Sequence, residues 1–184
     1  MAKEVIRSEK TLYRGQILTL SQATVLLQDG TTATREIVRT TGAAAILALN
    51  GDKALFVRQW RTPLNRETLE LVAGKIEPKE TTPLDAAKRE LNEEAGLEAG
   101  TWRPLTSFFQ SAGFSDAKTT LFLATGLTPA LRKRAMDPGE FVQVQWLTLA
   151  QAQAAQQDGR LCDAKSTLGL ALWELEQKAG HAHG

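Results

Sequence analysis

Cysteine is almost absent from this sequence of 184 residues, in which Cys162 is the single thiol. A lone cysteine excludes an intramolecular disulfide, a cysteine-based zinc cluster and a CxxC redox pair. We expect Cys162 to be a buried, unreactive thiol. Histidine is also scarce: His181 and His183 are the only two, and we assign no role to the terminal segment that contains them.

Neither sign of charge dominates, because 22 Lys and Arg residues face 21 Asp and Glu residues, for a net charge of +1. No overall field would attract nucleic acid or an anionic membrane, so any phosphate binding must be local. No window approaches the roughly 18 apolar residues that span a membrane, and the N-terminal residues lack the apolar region of a secretory signal. We therefore expect a cytoplasmic protein, with neither nucleic acid nor membrane as a partner.

The length and composition fit one globular domain. Hydrophobic residues make up 42% and charged residues 23% of the chain, which excludes a disordered chain and a coiled coil. Polar and apolar side chains alternate through residues 4–40, which predicts an antiparallel β-meander. Asp29 and Gly30 interrupt this alternation, and we predict that they form a type I′ hairpin turn.

The rest of the chain predicts a mixed sheet with helices. The apolar runs 43–49 and 54–57, joined at Asn50 and Gly51, predict a hairpin inside the core. The clearest helix signal covers residues 83–95, with a capping residue before it and a glycine after it. Further strands are predicted at 105–110, 119–124 and 141–146, and further helices at 149–157 and 166–178. Strands, a helix, strands and helices in this order indicate helices packed on the faces of a mixed sheet.

Three carboxylates share one face of the helix predicted at 83–95. Glu90, Glu93 and Glu94 have i, i+3 and i+4 spacing, so they repel one another unless a positive charge lies among them. A divalent cation is the natural partner, and oxygen ligands favour Mg²⁺ or Mn²⁺. Such a cation can polarise a phosphate and activate a water. Taken alone, the run is more typical of a solvated helix face, so the choice between this interpretation and a metal site depends on the surrounding residues.

The surrounding residues form a longer motif. Gly74 is followed after five residues by Glu80, and after eight more residues by Arg-Glu-Leu-Asn-Glu-Glu-Ala-Gly-Leu at 89–97. This pattern resembles the signature of the Nudix hydrolases, in which the second spacing is seven residues. The additional residue lies before the helix, at 81–83, so we expect the carboxylate face to be intact.

Other segments are similar to one branch of that family, the ADP-ribose pyrophosphatases and nucleoside diphosphate sugar hydrolases. The similar segments are 13–18, 56–61, 67–74 and 111–116. The resemblance covers most of residues 8–147 and implies an α/β (α+β) fold, a Nudix α/β/α sandwich with a mixed sheet, preceded by the N-terminal meander. We expect a meander domain at 1–41 and a hydrolase domain at 42–180.

The resemblance also implies a metal site. Glu90 and Glu94 would bind Mg²⁺ or Mn²⁺ together with the backbone carbonyl of Ala73. Glu93 would be a further ligand or would position the attacking water, and Arg89 would hold the carboxylates in place.

A catalytic base and a substrate site are implied as well. Glu140, on a late loop, would help to activate the water, although a surface acid at a loop tip is an equally good interpretation. Arg61 would bind the diphosphate through both arms of its guanidinium. Glu70 would contact the nucleoside or form a salt bridge at the strand edge. Gly113 and Ser115 belong to the same predicted substrate site.

A homodimer follows from the same resemblance, because in this branch the N-terminal strands pack on a partner subunit and complete its adenine pocket. Gln16 and Ile17 would thereby enter the site of the other chain. Ala117 stands where relatives commonly carry an acidic residue that contacts the terminal sugar, which leaves room for a sugar other than ribose. The tryptophans are expected in the core rather than stacked on a base: Trp60, Trp102, Trp146 and Trp173.

The predicted reaction is in-line attack of an activated water on a phosphorus of the diphosphate, which converts ADP-ribose to AMP and ribose 5-phosphate. One alternative keeps the mechanism and takes UDP- or GDP-hexoses, with NADH, dinucleoside polyphosphates and oxidised nucleoside triphosphates as more remote substrates. The other is a Nudix domain that binds nucleotide without cleaving it. Such sensors usually lose glutamates of the motif, whereas Glu90, Glu93 and Glu94 are all present.

Overall fold

The chain divides into two compact units in a computed structural model that describes residues 3–136 and 138–181. The first unit takes in the described residues up to Gly42 together with Phe108–Thr119. The second takes in Ala43–Ser107 and the described residues from Thr120 onward. Each unit has its own architecture.

The first unit is built on a three-stranded antiparallel sheet in the order β1-β2-β3. Its strands are β1 (Val5–Arg14), β2 (Thr19–Leu26) and β3 (Thr32–Arg39). The predicted N-terminal meander is therefore confirmed. The central strand β2 alternates buried and exposed residues, whereas every residue of the outer strand β1 is exposed.

The turn between β2 and β3 is not the predicted type I′ turn. That turn needs a positive φ at both central residues, but only Gly30 has one, at 81°. The backbone N–H of Gly30 donates to the carbonyl of Leu27, and the Asp29 carboxylate accepts bonds from the N–H and hydroxyl of Thr31. The Asp29 side chain thus stabilises the turn without a left-handed backbone at its own position.

The second unit centres on the larger sheet, which has the strand order β10-β5-β4-β9-β8, with β6 paired to β5 and β7 paired to β4. The strands are β4 (Ala43–Asn50), β5 (Lys53–Arg61), β6 (Arg66–Glu70), β7 (Val72–Lys75), β8 (Leu97–Phe109), β9 (Lys118–Pro129) and β10 (Val142–Thr148). The helices are α1 (Pro83–Ala95), α2 (Leu149–Gln157) and α3 (Ala164–His181). The predicted hairpin of β4 and β5 is present, with Gly51 at φ 60° in its turn.

Helices cover both faces of this sheet, as the side chains of β4 show. Ala45 and Leu47 point into a cluster that includes residues of α2 and α3, while Ala44 and Ile46 point into a second cluster with α1. This explains the uninterrupted apolar run of β4, since both of its faces are buried. The predicted α/β/α sandwich is confirmed.

Helix α1 has the predicted bounds because local signals set both of its ends. Thr82 and Asp85 form a capping box, and Pro83 occupies the first turn. Gly96 ends the helix in the left-handed conformation at φ 66°, where its N–H donates to the carbonyl of Asn92.

Two residues expected in the core are exposed. Trp60 is 56% exposed, because it lies near the end of β5, opposite Glu67 of the short strand β6. Cys162 is exposed between α2 and α3, where its sulfur accepts a hydrogen bond from Arg66. Trp173 is buried as expected. No helix among the described residues is long and apolar enough to cross a membrane.

Candidate active site

The buried guanidinium of Arg89 holds the acidic cluster of α1 together. It lies 2.7 Å from a carboxylate oxygen of each of Glu80, Glu90 and Glu93, and it also donates to the carbonyl of Lys75 at 2.9 Å. Burial alone would lower the pKa of Arg89, but these carboxylates raise it well above its usual value. Arg89 therefore stays charged and ties the helix to β7 and the loop after it, and its role in holding the catalytic carboxylates stays a prediction.

Glu90 and Glu94 are buried carboxylates, and the positive charge around them is too small to offset the effect of burial on their pKa values. Burial raises the pKa of Glu90 to about 7, against the opposing effect of Arg89, and raises that of Glu94 to about 8. The neighbouring charge of Glu90 and that of Glu140 raise the pKa of Glu94 further, and one oxygen of Glu94 is buried without a hydrogen-bond partner. Both carboxylates would gain from a nearby cation.

Gly74 of β7 makes the space that Glu90 occupies. A Cβ placed on Gly74 would lie 1.7 Å from Oε1 of Glu90 and 2.1 Å from its Cδ. The glycine of the motif is therefore required by close approach, because any side chain would displace the carboxylate. Ala73, the predicted carbonyl ligand, precedes Gly74 on the same strand and pairs with Ala45.

A divalent cation fits these residues. The donors are carboxylate oxygens and a carbonyl, which suit Mg²⁺ or Mn²⁺, and the unpartnered oxygen of Glu94 is a free acceptor. Within the described part of the chain, no three Asp, Glu, His or Cys side chains are arranged to hold a metal by themselves. Glu90, Glu94 and the carbonyl of Ala73 would thus leave coordination positions open for water and substrate.

Glu140 acts electrostatically on this cluster. Its negative charge raises the pKa of both Glu90 and Glu94. It is exposed and belongs to the segment between β9 and β10. Both the predicted base and a surface acid at a loop tip are compatible with this placement, and the role of Glu140 stays a prediction.

A second polar network surrounds Glu70, which is buried at the end of β6. Arg61 donates two hydrogen bonds of 2.6 Å to its two carboxylate oxygens, Thr68 donates one of 2.6 Å, and Lys165 lies at 2.5 Å. Lys165 also binds Asp163 at 2.8 Å. Both oxygens of Glu70 are thus engaged inside the protein, so its contacts here orient Arg61.

The charges of this network act on the candidate metal ligand Glu94. Burial would raise the pKa of Glu70, but its hydrogen bond from Arg61 and the charge and hydrogen bond of Lys165 lower it to about 2. Arg61 and Lys165 also lower the pKa of Glu94. The sequence analysis missed Lys165, because 95 residues separate it from Glu70 and no local pattern links them.

The remaining predicted substrate residues lie in the first unit. Gln16 and Ile17 are exposed in the turn between β1 and β2. Ser115 forms a bridge with Val38 of β3, and its hydroxyl accepts a hydrogen bond from the N–H of Ala117 at 3.1 Å. Gly113 has open space where a side chain would stand. Their roles in substrate binding stay predictions.

The chain is similar to proteins of known family over nearly its whole length. The sequence model of the NUDIX domain matches residues 39–167. The chain is 35% identical over 180 residues to the methanol dehydrogenase activator of Bacillus methanolicus, covering 97% of this chain and 96% of the relative. It is 35% identical over 171 residues to the ADP-ribose pyrophosphatase of Bacillus subtilis (strain 168), covering 92% of each. The crystal structure of an ADP compounds hydrolase shares its fold, with a TM-score of 0.86 at 23% identity, covering 97% of this chain and 96% of that one.

The chain therefore belongs to the NUDIX domain family and is a Nudix hydrolase. The predicted resemblance to the branch that contains ADP-ribose pyrophosphatases is confirmed by its relatives. Members of this family use divalent metal ions in general, in agreement with the fit of the carboxylate cluster.

The substitution Gly74→Ala should displace Glu90 and weaken cation binding. We expect the affinity for Mn²⁺, measured by electron paramagnetic resonance titration, to fall roughly 10- to 100-fold, with the circular dichroism spectrum unchanged. The matched control is Gly100→Ala in β8, where the added methyl would lie 3.6 Å from its nearest neighbour. A Gly74→Ala variant with the Mn²⁺ affinity of the wild type would show that cation binding does not depend on the close approach of Glu90 to Gly74.

The Glu70 network should make stability depend on pH in the acid range. The pKa of Glu70 falls from 4.5 to about 2 on folding, so its contribution is fully present above pH 4.5 and is lost as the pH falls toward 2. Over this range the free energy of unfolding in urea should fall by about 3 kcal/mol less in Glu70→Gln than in the wild type. Glu67→Gln, which removes an exposed carboxylate from the same strand, should follow the wild type. An equal fall in Glu70→Gln and wild type would contradict the prediction.

Proposed function

We propose that this protein hydrolyses the pyrophosphate bond of ADP-ribose, giving AMP and ribose 5-phosphate, in a reaction that needs Mg²⁺ or Mn²⁺. The observation that carries the proposal is the 35% identity to an ADP-ribose pyrophosphatase over 92% of both chains. The complete carboxylate face of α1 supports it, because Glu90, Glu93 and Glu94 are all present. The buried Arg89 binds Glu90 and Glu93, and Glu94 is itself buried.

Glu90, Glu94 and the carbonyl of Ala73 would hold the cation. When bound, it would neutralise charge on the diphosphate and lower the pKa of a water molecule. Moving Arg89 out of the cluster would leave buried carboxylates unpaired, so Arg89 fixes Glu90 and Glu93 before substrate arrives. Glu93 would position the attacking water or provide a further ligand.

Glu140 would take the proton of the attacking water. The water oxygen then forms a bond to one phosphorus as the bridging oxygen leaves with its electron pair, and the proton goes to a Glu140 oxygen. The departing group is a phosphate monoester, which needs no general acid. The support for this role is the electrostatic proximity of Glu140 to Glu90 and Glu94.

Arg61 would bind the diphosphate. Its guanidinium is partly exposed while two of its nitrogens are held by Glu70, so the group is oriented and keeps further N–H groups for a phosphate. Lys165 also pairs with Glu70, so this carboxylate is shared between two cations.

A nucleoside diphosphate hexose is the second candidate substrate. The observation that favours it is Ala117, whose methyl group cannot make the sugar contact of the acidic residue common at this place. The same catalytic groups would serve both substrates, so the choice concerns the sugar alone. A sensor that binds nucleotide without hydrolysis is the least favoured candidate, because no glutamate of the motif has been lost.

Hydrolysis of a substrate panel tests these candidates. ADP-ribose, UDP-glucose, GDP-mannose, NADH and dGTP are incubated with Mg²⁺ or Mn²⁺, and products are separated by ion-exchange chromatography. We expect AMP from ADP-ribose, no turnover after chelation of the metal, and a loss of roughly 10²-fold or more in kcat for Glu94→Gln. Glu98→Gln, which changes an exposed carboxylate just after α1, is the matched control.

Each other result identifies a different candidate. A higher kcat/KM for a hexose nucleotide would assign the protein to nucleotide-sugar hydrolysis with the same mechanism. Binding of ADP-ribose without turnover of any compound would overturn the hydrolase proposal in favour of a sensor.

We further propose a two-fold homodimer formed through the N-terminal sheet. Strand β1 is an outer strand with an open edge, and a long exposed edge of this kind pairs readily with another chain. Several large apolar side chains of this unit are exposed, namely Val5, Ile6, Leu12, Tyr13 and Ile17. A second copy of the chain would cover them and bring Gln16 and Ile17 to the site of its partner.

The double substitution Leu12→Asp with Tyr13→Asp should prevent dimerisation. We expect light scattering after size exclusion to give the mass of a dimer for the wild type and of a monomer for the variant, whose KM for ADP-ribose should rise about tenfold or more. Leu131→Asp, which places a charge at a fully exposed leucine of the second unit, should stay dimeric. A monomeric wild type would overturn the dimer.

A further inference from the structure

Asn92 is a buried polar residue of α1 that the predicted mechanism does not use. It lies between the two candidate metal ligands in sequence and is 7% exposed. Its side-chain amide donates to the carbonyl of Arg132 at 3.1 Å, and its side-chain oxygen accepts the N–H of Arg134 at 2.8 Å. Both ends of the amide are therefore bound to the backbone of one short stretch, about 40 residues further along the chain.

That stretch begins the segment that carries Glu140. The segment between β9 and β10 has no helix or strand among its described residues. A further hydrogen bond, from the N–H of Ala130 to the carbonyl of Gly96 at 2.9 Å, attaches its start to the end of α1. Leu131 is fully exposed, so its side chain does not anchor this part by apolar packing. The three hydrogen bonds attach this part to the last turn of α1 and to Gly96 directly after it.

We propose that Asn92 is a positioning residue that ties this segment to the metal-binding helix and so determines where Glu140 stands relative to Glu90 and Glu94. The proposal rests on the proposed function, in which Glu140 takes the proton of the attacking water. One helix then carries the candidate ligands on one side, and through Asn92 it also sets the distance from those ligands to the base.

The choice of asparagine supports this role. Alanine would favour the helix more strongly at this position, and a buried amide is unfavourable unless both its donor and its acceptor are satisfied. Aspartate could accept from Arg134 but could not donate to the carbonyl of Arg132. Asparagine is therefore matched to two backbone groups that face the helix, one a hydrogen-bond acceptor and the other a donor.

The test combines Asn92→Ala, Glu140→Gln and the double variant, assayed with Mg²⁺ and ADP-ribose. We expect Asn92→Ala to lower kcat about tenfold with KM within about twofold, and to speed amide hydrogen exchange at residues 130–136. If Asn92 acts through Glu140, the double variant should have the kcat of Glu140→Gln alone. Lys88→Ala, at an exposed position of the same helix, should match the wild type in kcat and exchange.

Three outcomes would overturn the proposal. An unchanged kcat in Asn92→Ala, with Glu140→Gln impaired, would remove the role of Asn92 and leave the proposed function of Glu140 intact. Multiplicative losses in the double variant would show that Asn92 acts independently of Glu140. A wild-type kcat in Glu140→Gln would refute the proposed base itself, and the positioning role with it.

Discussion

The buried guanidinium of Arg89 is the interaction on which the site depends. Its contacts join the loop residue Glu80, the helix residues Glu90 and Glu93, and the β7 carbonyl of Lys75. Charges buried in this way are costly to separate, since removal of one partner leaves the others desolvated and unpaired, at a cost of about 3–5 kcal/mol. Strand, loop and helix are thus fixed together by one side chain that never loses its charge.

The carboxylates of the cluster are not equally compensated by positive charge, and this difference distinguishes Glu94 from Glu90 and Glu93. Arg89 binds Glu90 and Glu93 directly, whereas Glu94 has an oxygen with no partner. Arg61 and Lys165, whose charges also act on Glu94, are already bound to Glu70. In the proposed function, this arrangement leaves Glu94 available to the metal ion and part of the Arg61 guanidinium available to the diphosphate.

Local signals in the sequence were sufficient for helix α1 and its carboxylates, because a capping box and a terminal glycine act within four residues. They were insufficient wherever a residue finds its partner far along the chain. Lys165 meets Glu70 across 95 residues, and Asn92 meets Arg132 across 40. Trp60 was misjudged for a related reason, since exposure at a strand end depends on where the neighbouring strands stop.

The additional residue before α1 shows why the spacing of the motif can vary while its geometry is kept. Glu80 is held from two directions, by the N–H of Glu77 at 2.6 Å and by Arg89 at 2.7 Å. The two threonines that follow are both bound to the carboxylate of Asp85, so the extra length is taken up in the cap of the helix. Glu80 is joined to Arg89 by a side-chain contact, which does not require a fixed number of residues between them. An additional residue between Glu80 and the helix therefore leaves the carboxylate face in register with β7.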